Sequence, residues 1–399
     1  MHQSTPALDS LIVQVSTWQR DSHELYDYES RSLTQFSQQI GSTLLFFRRG
    51  TDVFSVDEKS AEQAMMAMRD VPLPTDYLLH CISFENRFLV SPSERVISGS
   101  SVQPKKLWLV VRELGKYTLS EGDVIKLGRF KLRVKQMISD RLGEAVRPDL
   151  SFEGGSCGSV APPEADGMPC RICLLEGSGR DEDPLIEACS CRGSIQYVHL
   201  GCLRYWINGR LALAEGAKYT YLFAQLSCEL CKSSYPNSVR LSDGISTIPL
   251  VPMPETKAPF IILENMMRAE GSGQEMPRGM YVISLAGKNL LRLGRGHESD
   301  VRIADVSISR WHATVSFTED GRFVIEDHNS KFGTLVGMRR PRLLDLTRGA
   351  RGSEGGQPPP LTVQSGRTVF RFMTPQQHAE FLSNDIPPPQ LSNEEDNNI

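Results

Sequence analysis

Apolar residues along the chain gather in short runs, separated by polar and Gly- or Pro-rich stretches. From about Tyr77 to Met137 the runs LWLVVREL (107–114), GDVIKLGR (122–129) and FKLRVKQM (130–137) are rich in Val, Leu, Ile and aromatics and are punctuated by Gly, which predicts strands. Strand-like runs return from about Phe260 to Met373 and end in TVFRFM. AEQAMMAMRD (61–70) predicts a helix with Met65, Met66 and Met68 in the core, and VHLGCLRYWINGR (198–210) predicts another. SFEGGSCGSVAPPEADGMP (151–169) and IPLVPMPETKAP (248–259) have the composition of linkers. MRRPRLLDLTRGARGSEGGQPPP (338–360) reads as a surface loop with solvated arginines, and the acidic tail SNDIPPPQLSNEEDNNI as disordered. The expected organisation is multidomain and mainly β. It comprises a mixed region 1–75, a β-rich domain 76–140, a linker 141–168, a small module 169–236, a Pro-rich linker 237–259, a β-domain 260–375 and a tail 376–399.

Charge narrows the function. Forty-four basic residues face 48 acidic ones, with a pI near 6.1, which argues against a general polyanion binder. No apolar run approaches the ~18 residues of a membrane span, and the start MHQSTPALDSLIVQVS lacks the basic and apolar regions of a signal peptide. A soluble protein of the cytoplasm or nucleus is expected.

Cysteine usage changes the picture more. Seven of nine cysteines fall between Cys170 and Cys231, and only Cys81 and Cys157 lie outside. In order, the candidate ligands are Cys170 and Cys173, Cys189 and Cys191, His199 and Cys202, then Cys228 and Cys231. Eight thiolate and imidazole donors suffice for two closed tetrahedral zinc sites with no open position for catalysis, so structural zinc is expected. A segment of 62 residues is too short to bury a strong core unaided, whereas a structural zinc contributes on the order of 10–16 kcal/mol of apparent binding energy.

CRIC, the CSC pair, RGSIQYVHLGCLRYWI and CELCKSSY together resemble the RING-CH (RING-variant) zinc finger of ubiquitin ligases. That resemblance implies a cross-brace, with Cys170, Cys173, His199 and Cys202 on one zinc and Cys189, Cys191, Cys228 and Cys231 on the other. It also implies a docking shelf for a ubiquitin-conjugating enzyme centred on Ile172 and Trp206, with Lys232 beside it, and no catalytic nucleophile. The PHD chromatin reader shares the ligand order. It usually places an aromatic two residues before the seventh ligand, where this chain has Leu226. Each shelf residue also has a plainer role available: core for Ile172 and Trp206, solvated surface for Lys232.

LRLGRGHESDVRIADVSISRWHATVSF (291–317) and FVIEDHNSKFGTLV (323–336) alternate strand-like runs with Gly, Ser and Asn turns, as a β-sandwich with binding loops would. They resemble the forkhead-associated (FHA) domain, a phosphothreonine reader, at Gly294, Arg295, Ser309, Arg310, His312, Ser330, Gly333 and Thr334. The resemblance implies Arg295 and Ser309 as phosphate ligands, Arg310 as added charge, and His312 as a tie between loops. A guanidinium fork and a hydroxyl suit a phosphate dianion. Where most FHA domains carry Asn before the Gly of the third loop, this chain has Phe332, and Lys331 beside it is a candidate replacement contact. Upstream, GDVIKLGRFKLRV (122–134) echoes KNLLRLGRGHESDVRI (288–303), either as a degenerate FHA-like copy or as a convergent strand-turn-strand; Arg129 is not counted as a ligand.

These features make a soluble RING-type ubiquitin ligase that recruits threonine-phosphorylated partners the leading expectation. A phosphoprotein-binding scaffold and a PHD-type chromatin reader are the alternatives.

Overall fold

The computed structural model describes residues 11–20, 23–60, 74–84, 87–92, 103–151, 156–165, 167–177, 183–211, 220–224, 226–251, 255–266, 279–345 and 360–384. The expected helix at 61–70 and nearly all of the acidic tail lie outside them. The chain forms two compact units, one from residues 1–115 and 331–399, the other from 116–330.

In the first unit, Leu11–Trp18 pairs antiparallel with Leu33–Ile40 on one side and with Thr368–Met373 on the other, so that Val15 faces both Phe36 and Phe370. Leu361–Ser365, Leu107–Val110 and Thr334–Gly337 extend this sheet. A second sheet runs in the order Arg342–Asp345, Arg87–Pro92, Thr75–Phe84, Leu44–Arg49, Asp52–Asp57. Phe46 of the second sheet meets Phe370 of the first edge-on, ring centroids 5.5 Å apart, and both are buried. The unit is thus a β-sandwich closed by strands from opposite ends of the sequence.

In the second unit, the alternation of FKLRVKQMI decides the packing. Phe130, Leu132 and Val134 are buried, while Lys131, Arg133 and Lys135 point the other way. Phe130–Ile138 pairs with Val124–Leu127 and with Phe260–Asn265, where Arg133 lies opposite Glu264 and its Nε donates to the carboxylate at 3.0 Å. Gly279–Ser284 and Thr220–Ala224 complete that sheet. The facing sheet runs Val301–Arg302, Leu290–Gly294, Ala313–Phe317, Phe323–Asp327, Lys116–Thr118. One core joins both, drawing Leu127, Phe130 and Leu132 together with Ile261, Leu293, Val315 and Ile325.

The cysteine-bearing module is inserted into this sandwich between Phe130–Ile138 and Phe260–Asn265. Ala145–Val146 pairs with Thr256–Lys257, so the chain leaves and returns along one antiparallel ladder. The module has its own sheet, Val198–His199, Leu185–Glu187, Cys157–Val160, Ser238–Arg240, Thr247–Pro249, and its own core around the helix Leu200–Leu211.

Several expected boundaries are corrected. Residues 116–138 are not part of a separate domain 76–140; they complete the sandwich of residues 260–327, because Lys116–Thr118 and Phe130–Ile138 find their partners there. The linkers 141–168 and 237–259 contain strands, since Gly- and Pro-rich chain still pairs when a neighbouring strand offers donors and acceptors. The domain 260–375 is divided at residue 330, and Arg342–Asp345, inside the expected surface loop, is a strand. Region 1–75 is mostly strand among its described residues, and Pro375–Asn384 is a helix at the start of the expected tail.

Candidate metal centre and phosphate-binding loops

The two CxxC pairs fold into two knuckles of the same design. In the first, the Leu174 amide donates to the Cys170 carbonyl at 2.8 Å and the Cys170 amide to the Leu175 carbonyl at 2.8 Å. In the second, Lys232 donates to Cys228 and Cys228 to Ser233, both at 2.9 Å. The fourth residue after each leading cysteine, Leu174 or Lys232, is left-handed, with φ of 64° and 62°. Such turns aim amide hydrogens at the sulfurs: Ile172 N–H reaches Cys170 Sγ at 3.4 Å.

Long-range packing then sorts the ligands. Val198–His199 pairs with Leu185–Glu187 and brings the His199 amide to Cys170 Sγ at 3.4 Å. The first turn of Leu200–Leu211 carries Cys202 to the same place. Two clusters result, Cys170, Cys173, His199, Cys202 and Cys189, Cys191, Cys228, Cys231, with donor atoms within 4.8 Å of one another in each. The cross-brace grouping is therefore present.

The donor geometry fits a tetrahedral metal. Sulfurs held about 2.3 Å from zinc stand about 3.8 Å from one another. Cys191 Sγ and Cys228 Sγ are 3.8 Å apart, and His199 Nδ1 lies 3.3 Å from Cys173 Sγ and 3.9 Å from Cys202 Sγ. His199 Nε2 donates to the Gly177 carbonyl at 2.7 Å, which leaves Nδ1 as the ligand atom. Burial, with thiol neighbours adding to it, pushes the Cys191 and Cys202 thiols up, whereas amide donors to Cys170 outweigh its burial and hold it down. Only a bound cation would let all the thiols of a cluster ionise together.

Arg171, which the sequence reading did not single out, bridges the clusters. It sits between two ligands of the first cluster, and its guanidinium donates to Cys189 Sγ of the second at 3.1 Å, to the Ile195 carbonyl at 3.2 Å and to the Tyr235 hydroxyl at 3.4 Å. The only sequence signal was its position inside a CxxC.

Of the shelf residues, Ile172 is 43 % exposed on the first knuckle, and Lys232 is exposed on the second. Trp206 is half-buried, edge-to-face with Tyr235 at 5.9 Å. The Arg210 guanidinium lies 5.1 Å from its ring centroid and pairs with Glu229 between the last two cysteines. The knuckles also present Leu174, Leu175 and Leu230 at 75, 67 and 62 % exposure, apolar residues that the motif did not mark.

At the other candidate site, Leu290–Gly294 ends against the loop that precedes Ala313–Phe317. Arg295 N–H donates to the Ser309 carbonyl and Gly296 N–H to the Arg310 carbonyl, each at 3.1 Å. A Cβ on Gly294 would overlap the Arg310 carbonyl oxygen, so glycine is required by this approach. His312 is fully buried and accepts the Ser309 amide at 3.1 Å through Nδ1, the tie expected of it. Arg295 and Arg310 are exposed, and Ser309 is half-buried. Lys331 belongs to the other unit, where Nζ lies 3.4 Å from Asp27 and 5.8 Å from the Phe332 ring; Phe332 packs with Trp18, Tyr26 and Tyr28. Asp27, remote in sequence, could not have been paired with Lys331 by inspection.

Comparison with known proteins agrees with both motifs. Residues 170–231 match the RING-variant domain and residues 291–351 the FHA domain. The chain is 42 % identical over 69 residues to "Probable E3 ubiquitin-protein ligase MARCHF10" of Homo sapiens, covering 17 % of this chain and 8 % of that one. It is 38 % identical over 69 residues to "E3 ubiquitin-protein ligase MARCHF7" of Rattus norvegicus, covering 17 % and 9 %. It is 34 % identical over 102 residues to "E3 ubiquitin-protein ligase MARCHF8" of Bos taurus, covering 23 % and 30 %. The chain thus spans less than a third of each of these relatives. No solved structure matches it. The domain matched is RING-variant, not PHD. Among the described residues no helix is long and apolar enough to cross a membrane.

Proposed function

We propose that the chain is a RING-type E3 ubiquitin-protein transferase whose FHA domain recruits threonine-phosphorylated proteins. The cross-brace carries this proposal. Two interleaved ligand clusters hold two knuckles rigid, and those knuckles turn Ile172, Leu174, Leu175 and Leu230 outward. Apolar residues on rigid turns, with a half-buried tryptophan near by on the helix, suit a small transient interface of the kind a conjugating enzyme makes.

Each cluster would hold one zinc ion through its four side chains, and a metal so enclosed would brace the fold rather than offer a position for chemistry. The protein's residues act by position. Ile172 and Trp206 seat the conjugating enzyme, and Lys232 on its left-handed knuckle reaches toward enzyme and ubiquitin. The thioester is thereby held where a target lysine amine attacks its carbonyl and the enzyme's cysteine thiol leaves. Arg295 supplies the planar fork for a phosphothreonine, Ser309 the hydroxyl, and Arg310 further charge. Lys331, already paired with Asp27, is a secondary contact at most. Recruitment raises the local concentration of target lysines beside the transfer site.

The test is ubiquitin-chain formation with a panel of conjugating enzymes, wild type against Ile172→Ala. Chains from the wild type, reduced at least tenfold in the variant with both zinc ions retained, are expected. No chains with any enzyme, from zinc-loaded folded protein, would instead favour a non-catalytic phosphoprotein scaffold.

A further inference from the structure

Two turns of identical sequence, Leu127-Gly128-Arg129 and Leu293-Gly294-Arg295, grip the same loop. The second holds its end, through Arg295 N–H on the Ser309 carbonyl and Gly296 N–H on the Arg310 carbonyl. The first holds its beginning. Gly128 is left-handed, and a Cβ there would stand 2.5 Å from the Ser307 carbonyl oxygen. Arg129 N–H donates to Ser307 Oγ at 3.0 Å, and Arg129 Nε donates to both oxygens of Asp305 at 2.8 and 3.1 Å. Asp305 also accepts from the Ser307 amide at 2.8 Å and its hydroxyl at 2.7 Å. Between the two grips Ile308 is buried in the sandwich core.

We propose that the Gly128–Arg129 turn is a positioning element for the phosphate-binding loop 305–310, and that Arg129 is its anchor. This rests on the reading of that loop as a phosphothreonine receptor. With its beginning tied to Asp305 and Ser307 and its end tied to Gly294–Gly296, the loop presents Ser309 and Arg310 in one arrangement before any ligand arrives, so little ordering remains to be done on binding. The Arg129 guanidinium is committed to Asp305 and stays out of the ligand's contacts. The upstream echo of the motif is a working part of this sandwich, with Arg129 176 residues from Asp305 in sequence and hydrogen-bonded to it in space.

The full-length chain tests this in two arms. Amide hydrogen exchange over residues 303–311 reads the loop without any ligand. Arg129→Ala is expected to speed exchange there about tenfold and leave the zinc module's exchange unchanged, with Ser307→Ala as a second variant that removes the acceptor of the Arg129 amide and the hydroxyl's bond to Asp305 but leaves the Arg129 guanidinium on Asp305. Binding of a degenerate phosphothreonine peptide pool, with its dephosphorylated counterpart as control, reads the consequence. Affinity is expected to fall roughly tenfold, the size of ordering two to three side chains on binding. The salt dependence should not change, and Arg129→Lys should recover part of the loss. Unchanged exchange in both variants overturns the proposal. A flatter salt dependence in Arg129→Ala also overturns it, since that would make Arg129 a phosphate contact. A wild type that ignores the phosphorylated pool refutes the receptor reading, while the exchange arm still decides whether Arg129 orders the loop.

Discussion

Arg171→Ala is expected to loosen the four-cysteine cluster specifically, although Arg171 lies between two ligands of the other one. The substitution removes a cationic donor from Cys189 Sγ at 3.1 Å, together with bonds to the Ile195 carbonyl and the Tyr235 hydroxyl. A hydrogen bond to a charged acceptor is worth about 1.5–3 kcal/mol, and outer-shell partners of metal ligands typically carry 10- to 100-fold in metal affinity. The side chain is half-buried, so solvent takes part of this away, and a loss of roughly 10- to 30-fold is expected. Chelator competition with a metallochromic dye would follow zinc release, and pulsed alkylation with mass mapping would tell the clusters apart. In the variant, Cys189, Cys191, Cys228 and Cys231 should become reactive well before Cys170, Cys173 and Cys202. Arg171→Lys should fall between, because one ammonium cannot span three acceptors in a fixed fork. Equal release from wild type and variant, or earlier exposure of Cys170 and Cys173, would refute the assignment of Arg171 as a brace on the second cluster.

Three further outcomes follow from the packing. Gly294→Ala drives a Cβ into the Arg310 carbonyl and should cost about 1–3 kcal/mol, read as a lowered denaturant midpoint, together with loss of phosphopeptide binding. Zinc chelation should expose the module's strands Cys157–Val160, Leu185–Glu187 and Ser238–Arg240 and its helix Leu200–Leu211 to rapid hydrogen exchange while the sandwich strands Phe130–Ile138, Phe260–Asn265 and Ala313–Phe317 stay protected, because the two regions have separate cores. Burial opposes ionisation of Asp305, but hydrogen bonds from Ser307 and Arg129 outweigh it and hold its pKa below the ordinary carboxylate value. A depressed folded pKa contributes stability that is fully present above the unfolded value of about 4 and is lost as pH falls through the folded value. The gap in urea stability between wild type and Asp305→Asn should therefore be largest near neutral pH and close as the pH falls below about 4.

The two Cys/His clusters were legible in the sequence because their eight residues stand out by type and order, and the cross-brace grouping implied by the RING-CH resemblance is the grouping found. His312 makes the tie between loops that the FHA resemblance implied for it, and Gly294, marked there only as a matching residue, allows the close approach of the Arg310 carbonyl. Domain boundaries were not legible. Local composition marks Cys157–Val160 and Thr256–Lys257 as linker, and nothing within those segments shows that Ser238–Arg240 or Ala145–Val146 will supply a ladder. The same blindness to distant partners hid the union of 116–138 with 260–327, the commitment of Lys331 to Asp27, and the role of the upstream turn at Gly128. Pairings between residues this far apart leave no trace in a single chain's periodicity.

The most direct measurement is single-turnover discharge. A conjugating enzyme loaded with ubiquitin through its thioester is mixed with free lysine and the zinc-loaded chain, and the thioester is followed with time. Faster discharge with the wild type, and a rate with Ile172→Ala close to that of the conjugating enzyme alone, is the expected result. A wild type that leaves the rate unchanged with every conjugating enzyme tried, both metal clusters being filled, would contradict the assignment of transfer activity to this module.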